Sequence, residues 1–348
     1  MRRLPVFLIP LSLALAAIPW LARHDAPVQH TFQPPEQQIR VLQNNLEEVY
    51  QKTVSAAVRV NIGNSGLGSG FFISSDGYIL TAAHVALGDP SETLTVTTHD
   101  GKDYTAKLVG YDEIQDLALL KVNGKNLPSL KFAARTPSVG DGVVAIGNSR
   151  GSFDGGRAGE VTALGASLSA SFPTNMVASS MPLAPGDSGG PVLNQSGEVV
   201  GVSTAISSGR GHFSSYFVPL KNNSKIVRDL QAGLKKSVPV IGVSIADARS
   251  YLDTAGAMVT DVTRGLGAQK AGLQAPEVSE FRDDSGRMRQ QIRQADVIVA
   301  IDGKAVQEPD DLIAVLRGKK VGDQVSLKVQ RGQSTLNVKV TLSNRYAI

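Results

Sequence analysis

The stretch Gly186-Asp187-Ser188-Gly189-Gly190-Pro191 flanks a serine with glycines on both sides, the setting an acyl-transfer nucleophile requires. Glycine lets the backbone turn tightly and aim successive N–H groups at one point. That point is where charge develops on a carbonyl oxygen under attack, and the N–H groups of Gly186 and Ser188 are the expected donors. Ser188 alone is a weak nucleophile. It needs a base within hydrogen-bond reach, held in turn by a third group.

His84 and Asp116 are the residues available for those roles. His84 closes the apolar run Gly70-Phe71-Phe72-Ile73, turn Ser74-Ser75-Asp76-Gly77, Tyr78-Ile79-Leu80-Thr81-Ala82-Ala83, so rigid strands would deliver it to a cleft. Asp116 opens Asp116-Leu117-Ala118-Leu119-Leu120-Lys121-Val122, one carboxylate ahead of a nearly continuous apolar strand. A buried carboxylate must be hydrogen-bonded, and orienting an imidazole satisfies it. The chain order His, Asp, Ser is that of the chymotrypsin-like triad. Gly186-x-Ser188-x-Gly190 also fits the nucleophile elbow of α/β-hydrolases, but that fold needs the order Ser, Asp, His. His212 is the only histidine after Ser188, and the strand–helix alternation of a parallel sheet is missing.

With Gly68-Ser69-Gly70-Phe71-Phe72-Ile73, Thr81-Ala82-Ala83-His84-Val85, the Asp116 strand, Ala145-Ile146-Gly147-Asn148 and Gly186–Val192, the sequence resembles the HtrA/Deg serine proteases. The resemblance covers about residues 40–345. It implies a mainly β chain: a chymotrypsin-like double β-barrel followed by a PDZ domain, with His84, Asp116 and Ser188 catalytic. It also implies a homotrimer to which the N-terminal segment contributes. Two departures stand out, since the family usually carries Asn where this chain has Asp187, and an Asp/Asn-rich segment where it has residues 177–185.

Short β segments at 57–62, 69–74, 78–81, 93–98, 104–110 and 117–122, then 142–147, 159–165, 176–179, 191–194, 198–203 and 215–218, predict two barrels of six strands, closed by a helix at 221–234. The division is expected as 1–34 export signal or membrane anchor plus linker, 35–236 protease and 237–346 PDZ. Met1-Arg2-Arg3 before an 18-residue apolar stretch, Leu4 to Leu21, is an export segment. Trp20 near its end favours a retained anchor over a cleaved signal, and either places the protease in the periplasm or on the extracytoplasmic membrane face. Ile39, Leu42, Leu46, Val49 and Tyr50 predict one apolar helical face.

In the second domain Val240-Ile241-Gly242-Val243 is the expected carboxylate-binding loop for C-terminal peptides, beside a strand edge that a peptide can extend. Asp302-Gly303 predicts a hairpin turn, and Pro309-Asp310-Asp311 a helix start. The polar insertion from Gln274 to Gln294 is expected to be a mobile surface loop.

Composition excludes other classes. There are no cysteines, hence no disulfides or thiolate metal sites, and a net charge of +4 without a Lys/Arg cluster gives no reason to invoke nucleic acid. Residues 63–68 lack the Lys-Ser/Thr ending of a phosphate loop. The chemistry needs neither cofactor nor metal.

The resemblance implies ATP-independent endoproteolysis of unfolded or misfolded proteins in quality control or stress signalling in the cell envelope. The alternative is a proteolytically weak chaperone or scaffold. The resemblance to chymotrypsin-like enzymes, whose specificity pocket has its base six residues before the serine, implies Pro182 beside Met181 as that base, which without an acid favours small or medium apolar side chains. Asp187, if packed down, requires a cation, for which Arg210 and then Arg157 are the candidates.

Overall fold

The computed structural model describes residues 36–62, 66–88, 94–149, 151–209, 212–282 and 287–344. The export segment, the 1–34 portion of the proposed division and Arg210 lie outside the described residues. Among the described residues no helix is long and apolar enough to cross a membrane. The chain divides into two compact units, with the break between Lys236 and Ser237 and with Ser169–Ser171 belonging to the second.

The first unit opens with helix α1 (Glu36–Thr53), whose Leu46, Val49 and Tyr50 are buried at the spacing of one helical face. Strands β1 (Ala57–Ile62), β2 (Gly66–Phe72) and β3 (Tyr78–Thr81) follow, then the single-turn helix α2 (Ala83–Ala86). Next come β4 (Leu94–Thr98), β5 (Asp103–Thr105), β6 (Lys107–Asp112) and β7 (Leu117–Lys121). A second set comprises β8 (Gly142–Ala145), β9 (Arg157–Ala166), β10 (Met176–Ser179), β11 (Pro191–Asn194), β12 (Val199–Gly209) and β13 (His212–Pro219). Helix α3 (Lys225–Gln231) and the short β14 (Lys235–Lys236) complete the unit.

The second set closes into the expected six-stranded barrel, in the order β10-β13-β12-β11-β8-β9. The first is an eight-stranded sheet, β14-β6-β7-β3-β2-β1-β4-β5, where six strands were expected. Two local events account for the difference. The 104–110 segment breaks at buried Ala106, whose N–H turns to Leu94 O, and Lys235-Lys236 after α3 adds a parallel strand beside β6. One core runs from α1 through Phe71, Leu80, Leu117 and Leu119 into Val144, Ile146, Leu193 and Val202, so both sets share a single apolar interior. A second cluster, including Met181, Val192 and Phe217, fills the closed barrel.

The second unit is a six-stranded sheet of β15 (Val243–Asp247), β16 (Ala257–Val262), β19 (Asp296–Ile301), β20 (Lys304–Ala305), β21 (Gln324–Arg331) and β22 (Ser334–Thr341). Helices α4 (Gly267–Lys270) and α5 (Pro309–Arg317) complete it. Asp302 and Gly303 both have positive φ, 47° and 78°, as a type I′ turn demands. Pro309 starts α5, and the Asp311 carboxylate accepts the N–H groups of Gln307 and Glu308 there.

Where a mobile surface loop was expected, the described residues of the 274–294 insertion include two paired strands, and residues 283–286 lie outside the described residues. The two strands, β17 (Glu277–Arg282) and β18 (Met288–Gln294), pair antiparallel. The apolar residues Val278 and Ile292 stand opposite each other, and Ile292 packs on Ala248, Met258, Ala295 and Val297.

Candidate active site

His84 sits on α2, directly after β3, so the strand core fixes where its ring emerges. Asp116 precedes β7, the neighbour of β3, with φ 53°. A left-handed aspartate is strained by about 1–3 kcal/mol. The conformation lets one carboxylate serve both the backbone and the ring of His84. Oδ1 accepts the His84 N–H at 3.0 Å, and Nδ1 lies 2.8 Å from Oδ2 and 3.0 Å from Oδ1. An imidazole that donates Nδ1–H to a carboxylate leaves Nε2 bare as a proton acceptor.

Burial lowers the pKa of His84, but the charge and hydrogen bond of Asp116 outweigh it, so the ring titrates above its ordinary 6.5. A third contact holds the carboxylate from the closed barrel: Thr204 Oγ1, on β12, donates to Asp116 Oδ2 at 3.2 Å. Sequence reasoning missed Thr204. The available signal was a polar pair, Ser203-Thr204, inside the apolar run from Val199 to Ile206.

Ser188 lies in the turn before β11, and that turn is fastened on two sides. From β12, Ser203 Oγ donates to Asp187 O at 2.5 Å, Ser203 N donates to Gly190 O at 3.0 Å, and Gly189 N donates to Ser203 O at 2.8 Å. From β2, the fully buried Ser69 donates through Oγ to Gly186 O at 2.7 Å and through N to Ser188 O at 2.8 Å. Gly186 and Gly189 have φ of 100° and 87°, and a Cβ on Gly189 would stand 2.2 Å from Ser69 O. The glycines are therefore dictated by the turn and by the strand packed on it. The N–H groups of Gly186 and Ser188 donate to no described residue. Ser188 Oγ points to Thr204 O, at 3.4 Å, rather than to His84.

A small cleft beside Ser188 is walled by Leu183, Ala184, Ser203, Thr204, Ala205 and Ile206. Met181 is fully buried in the barrel core and Pro182 is exposed, so neither of the expected pocket residues forms the wall. The short turn after β10, with Leu183 N bonded to Met181 O, points Met181 inward and brings Leu183 and Ala184 to the cleft. Asp187, 1% exposed, is paired with Arg157 at 3.6 Å.

In the second unit Ile241 is buried and Gly242 has φ 92°. Their carbonyls accept N–H groups from Ala268 and Thr263. The adjoining β15 is an edge strand, hydrogen-bonded only to β16 among the described strands.

A closed antiparallel barrel, a partly buried His–Asp pair and a glycine-bracketed serine, with His, Asp and Ser in that chain order, define the trypsin-like class of serine peptidase domain. Residues 68–202 match the trypsin-like peptidase domain and residues 239–342 the PDZ domain. A probable periplasmic DegP-like serine endoprotease of Chlamydia trachomatis is 34% identical over 287 residues, 79% of this chain and 54% of the relative. One of Ectopseudomonas mendocina is 35% identical over 286 residues, 79% and 56% of the two chains. The chain thus spans about half the length of the curated relatives it matches. Among solved structures, the serine endoprotease from Yersinia pestis aligns at TM-score 0.49 and 24% identity, covering 85% of this chain and 97% of that one. The HtrA-type protease AlgW with tripeptide aligns at 0.49 and 24%, covering 85% and 96%. The chain carries a trypsin-like peptidase domain followed by a PDZ domain, and the relatives it matches are DegP-like serine endoproteases.

Proposed function

We propose that the chain is an ATP-independent serine endopeptidase that cleaves unfolded or misfolded proteins outside the cytoplasmic membrane. The observation that carries this reading is the left-handed Asp116 gripping both the backbone and the ring of His84. The hydrogen bond from Nδ1 to this carboxylate fixes the tautomer a general base needs.

His84 Nε2 takes the Ser188 proton once Oγ rotates off Thr204 O. Ser188 then attacks the scissile carbonyl, and the Gly186 and Ser188 N–H groups receive the oxyanion. The Leu183, Ala184, Ala205 and Ile206 walls suit small or medium apolar side chains before the cleaved bond. Residues 35–236 serve as the protease domain and 237–346 as the PDZ domain. The Val240–Val243 loop and the β15 edge would take C-terminal peptides. Trimer assembly, periplasmic location and anchoring through residues 1–34 complete the reading, supported by the periplasmic names of the relatives and by the apolar N-terminal stretch.

Incubating an unfolded protein with wild type and with Ser188→Ala, and mapping the cut sites, tests the proposal. Cleavage after Val, Ala or Leu that disappears in the variant is expected. Equal turnover by Ser188→Ala, or dominant cutting after Lys and Arg, would overturn it.

A further inference from the structure

Asp187 puts a carboxylate immediately before the nucleophile, with only 1% of its side chain exposed. It is seated against bare backbone: a Cβ on Gly147 would stand 2.2 Å from Asp187 Oδ1. Oδ1 accepts the Ser149 N–H at 3.0 Å and Oδ2 the Ala184 N–H at 2.9 Å, so the carboxylate joins the loop after β8 to the segment leading into Ser188. A buried charge in such a place needs a counter-charge. Arg157, the first residue of β9, brings Nε to 3.6 Å from Oδ2 with its own side chain 16% exposed. Its Nη2 donates to Ser149 Oγ at 2.8 Å and to Asp154 Oδ1 at 2.7 Å. The loop that carries this guanidinium is tied to α1, since Tyr50 Oη accepts the Gly155 N–H at 3.2 Å and donates to Phe153 O at 2.9 Å.

We propose that Arg157 is a positioning residue for the oxyanion hole, holding Asp187 down so that the 184–188 segment presents the Gly186 and Ser188 N–H groups to the substrate carbonyl. The proposal rests on the serine-protease reading of the same site. Without the guanidinium the buried carboxylate keeps only its backbone N–H partners, and its uncompensated charge drives it from its seat toward water. Leaving breaks the Ala184 contact two residues before Gly186, and the donors diverge. An asparagine at 187 keeps one of the two backbone N–H groups on its amide oxygen, loses the other because its NH2 cannot accept, and makes no demand for a cation. The requirement for Arg157 therefore exists only while residue 187 is charged.

The test is a double-mutant cycle read in kcat and KM with a peptide substrate, on full-length protein whose folding is checked by thermal melting. Arg157→Ala should lower kcat about 100-fold, the scale of one lost oxyanion donor, and leave KM within about 3-fold because the hole acts on the transition state. In an Asp187→Asn background the same substitution should change kcat by less than about 3-fold. Arg157→Lys, which keeps the charge, should restore part of the loss. If Arg157→Ala fails to fold alone, the comparison of Asp187→Asn with Asp187→Asn/Arg157→Ala still decides: near-equal kcat supports the proposal, and a large further loss overturns it. An active wild type whose Arg157→Ala variant keeps full kcat would overturn the proposal alone. A wild type with no Ser188-dependent turnover would overturn the protease reading and this proposal with it.

Discussion

In the acid–base half of the site the polar contacts are already made: Asp116 holds the His84 backbone and ring, and Thr204 closes on the same carboxylate. In the nucleophile half the frame is equally well fastened, by Ser69 and Ser203, but Ser188 Oγ faces Thr204 O and the Gly186 and Ser188 N–H groups have no described partner. A base must be oriented before the substrate arrives. An oxyanion hole must keep its donors unsatisfied until the transition state fills it. The contrast predicts that damage to the first half destroys proton transfer, whereas damage to the frame of the second weakens oxyanion binding by degrees.

The largest effect is expected at the base. His84→Ala should lower kcat by about 10⁶-fold with little change in thermal stability, a loss seen when one member of such a triad is removed. Retained turnover in a preparation free of other proteases would break the comparison at its root. Asp116→Asn should cost about 10⁴-fold in kcat, because an amide can hold the wrong imidazole tautomer.

The pH dependence sharpens the same half. Since the His84 pKa is raised, activity in the wild type should climb with pH along a limb lying above 6.5. A raised folded pKa stabilises the protein fully below the unfolded value, and that contribution is lost as pH rises through the folded one. Stability from this group should therefore fall over the window in which activity appears. In Asp116→Asn, burial alone acts on the ring and the limb should move to lower pH. An unmoved limb in kcat/KM would mean that some other group titrates.

Smaller effects are expected outside the reacting atoms. For the Val240–Val243 loop, amidating a C-terminal peptide ligand should weaken binding by about 1.5–3 kcal/mol if a carboxylate is captured, and equal affinity for acid and amide would rule capture out. Ser69→Ala should cost about 1–3 kcal/mol of stability, because it leaves Gly186 O and the Asn148 N–H unsatisfied. Its kcat should fall by about tenfold, far less than for His84→Ala.

The halves also differed in how far the sequence revealed them. His84, Asp116 and Ser188 could be read because each sits in a local pattern: the end of an apolar hairpin, the head of a buried strand, a glycine-bracketed turn. The proposed oxyanion donors, the N–H groups of Gly186 and Ser188, were drawn from the same glycines. Ser69 and Thr204 could not be read as partners, because each acts across a distance in the chain that only the packed strands close. Asp187 announced a need for a cation; Arg157, the second of the two candidates, stands beside it, and Arg210 lies outside the described residues. Met181 lies wholly in the barrel core, and it is Leu183, from the same cluster, that also reaches the cleft. The hairpin at 277–294 was hidden by its polar composition, since Val278 and Ile292 are its one apolar cross-strand pair with a contact to the core cluster at Ile292.

The central claim is that Ser188 is a nucleophile activated by His84. Intact-mass and peptide-mapping mass spectrometry after treatment with a fluorophosphonate tests it most directly. A single adduct on Ser188 in the wild type, lost in His84→Ala, is the predicted result. An unmodified Ser188, or one labelled equally well without His84, would contradict it.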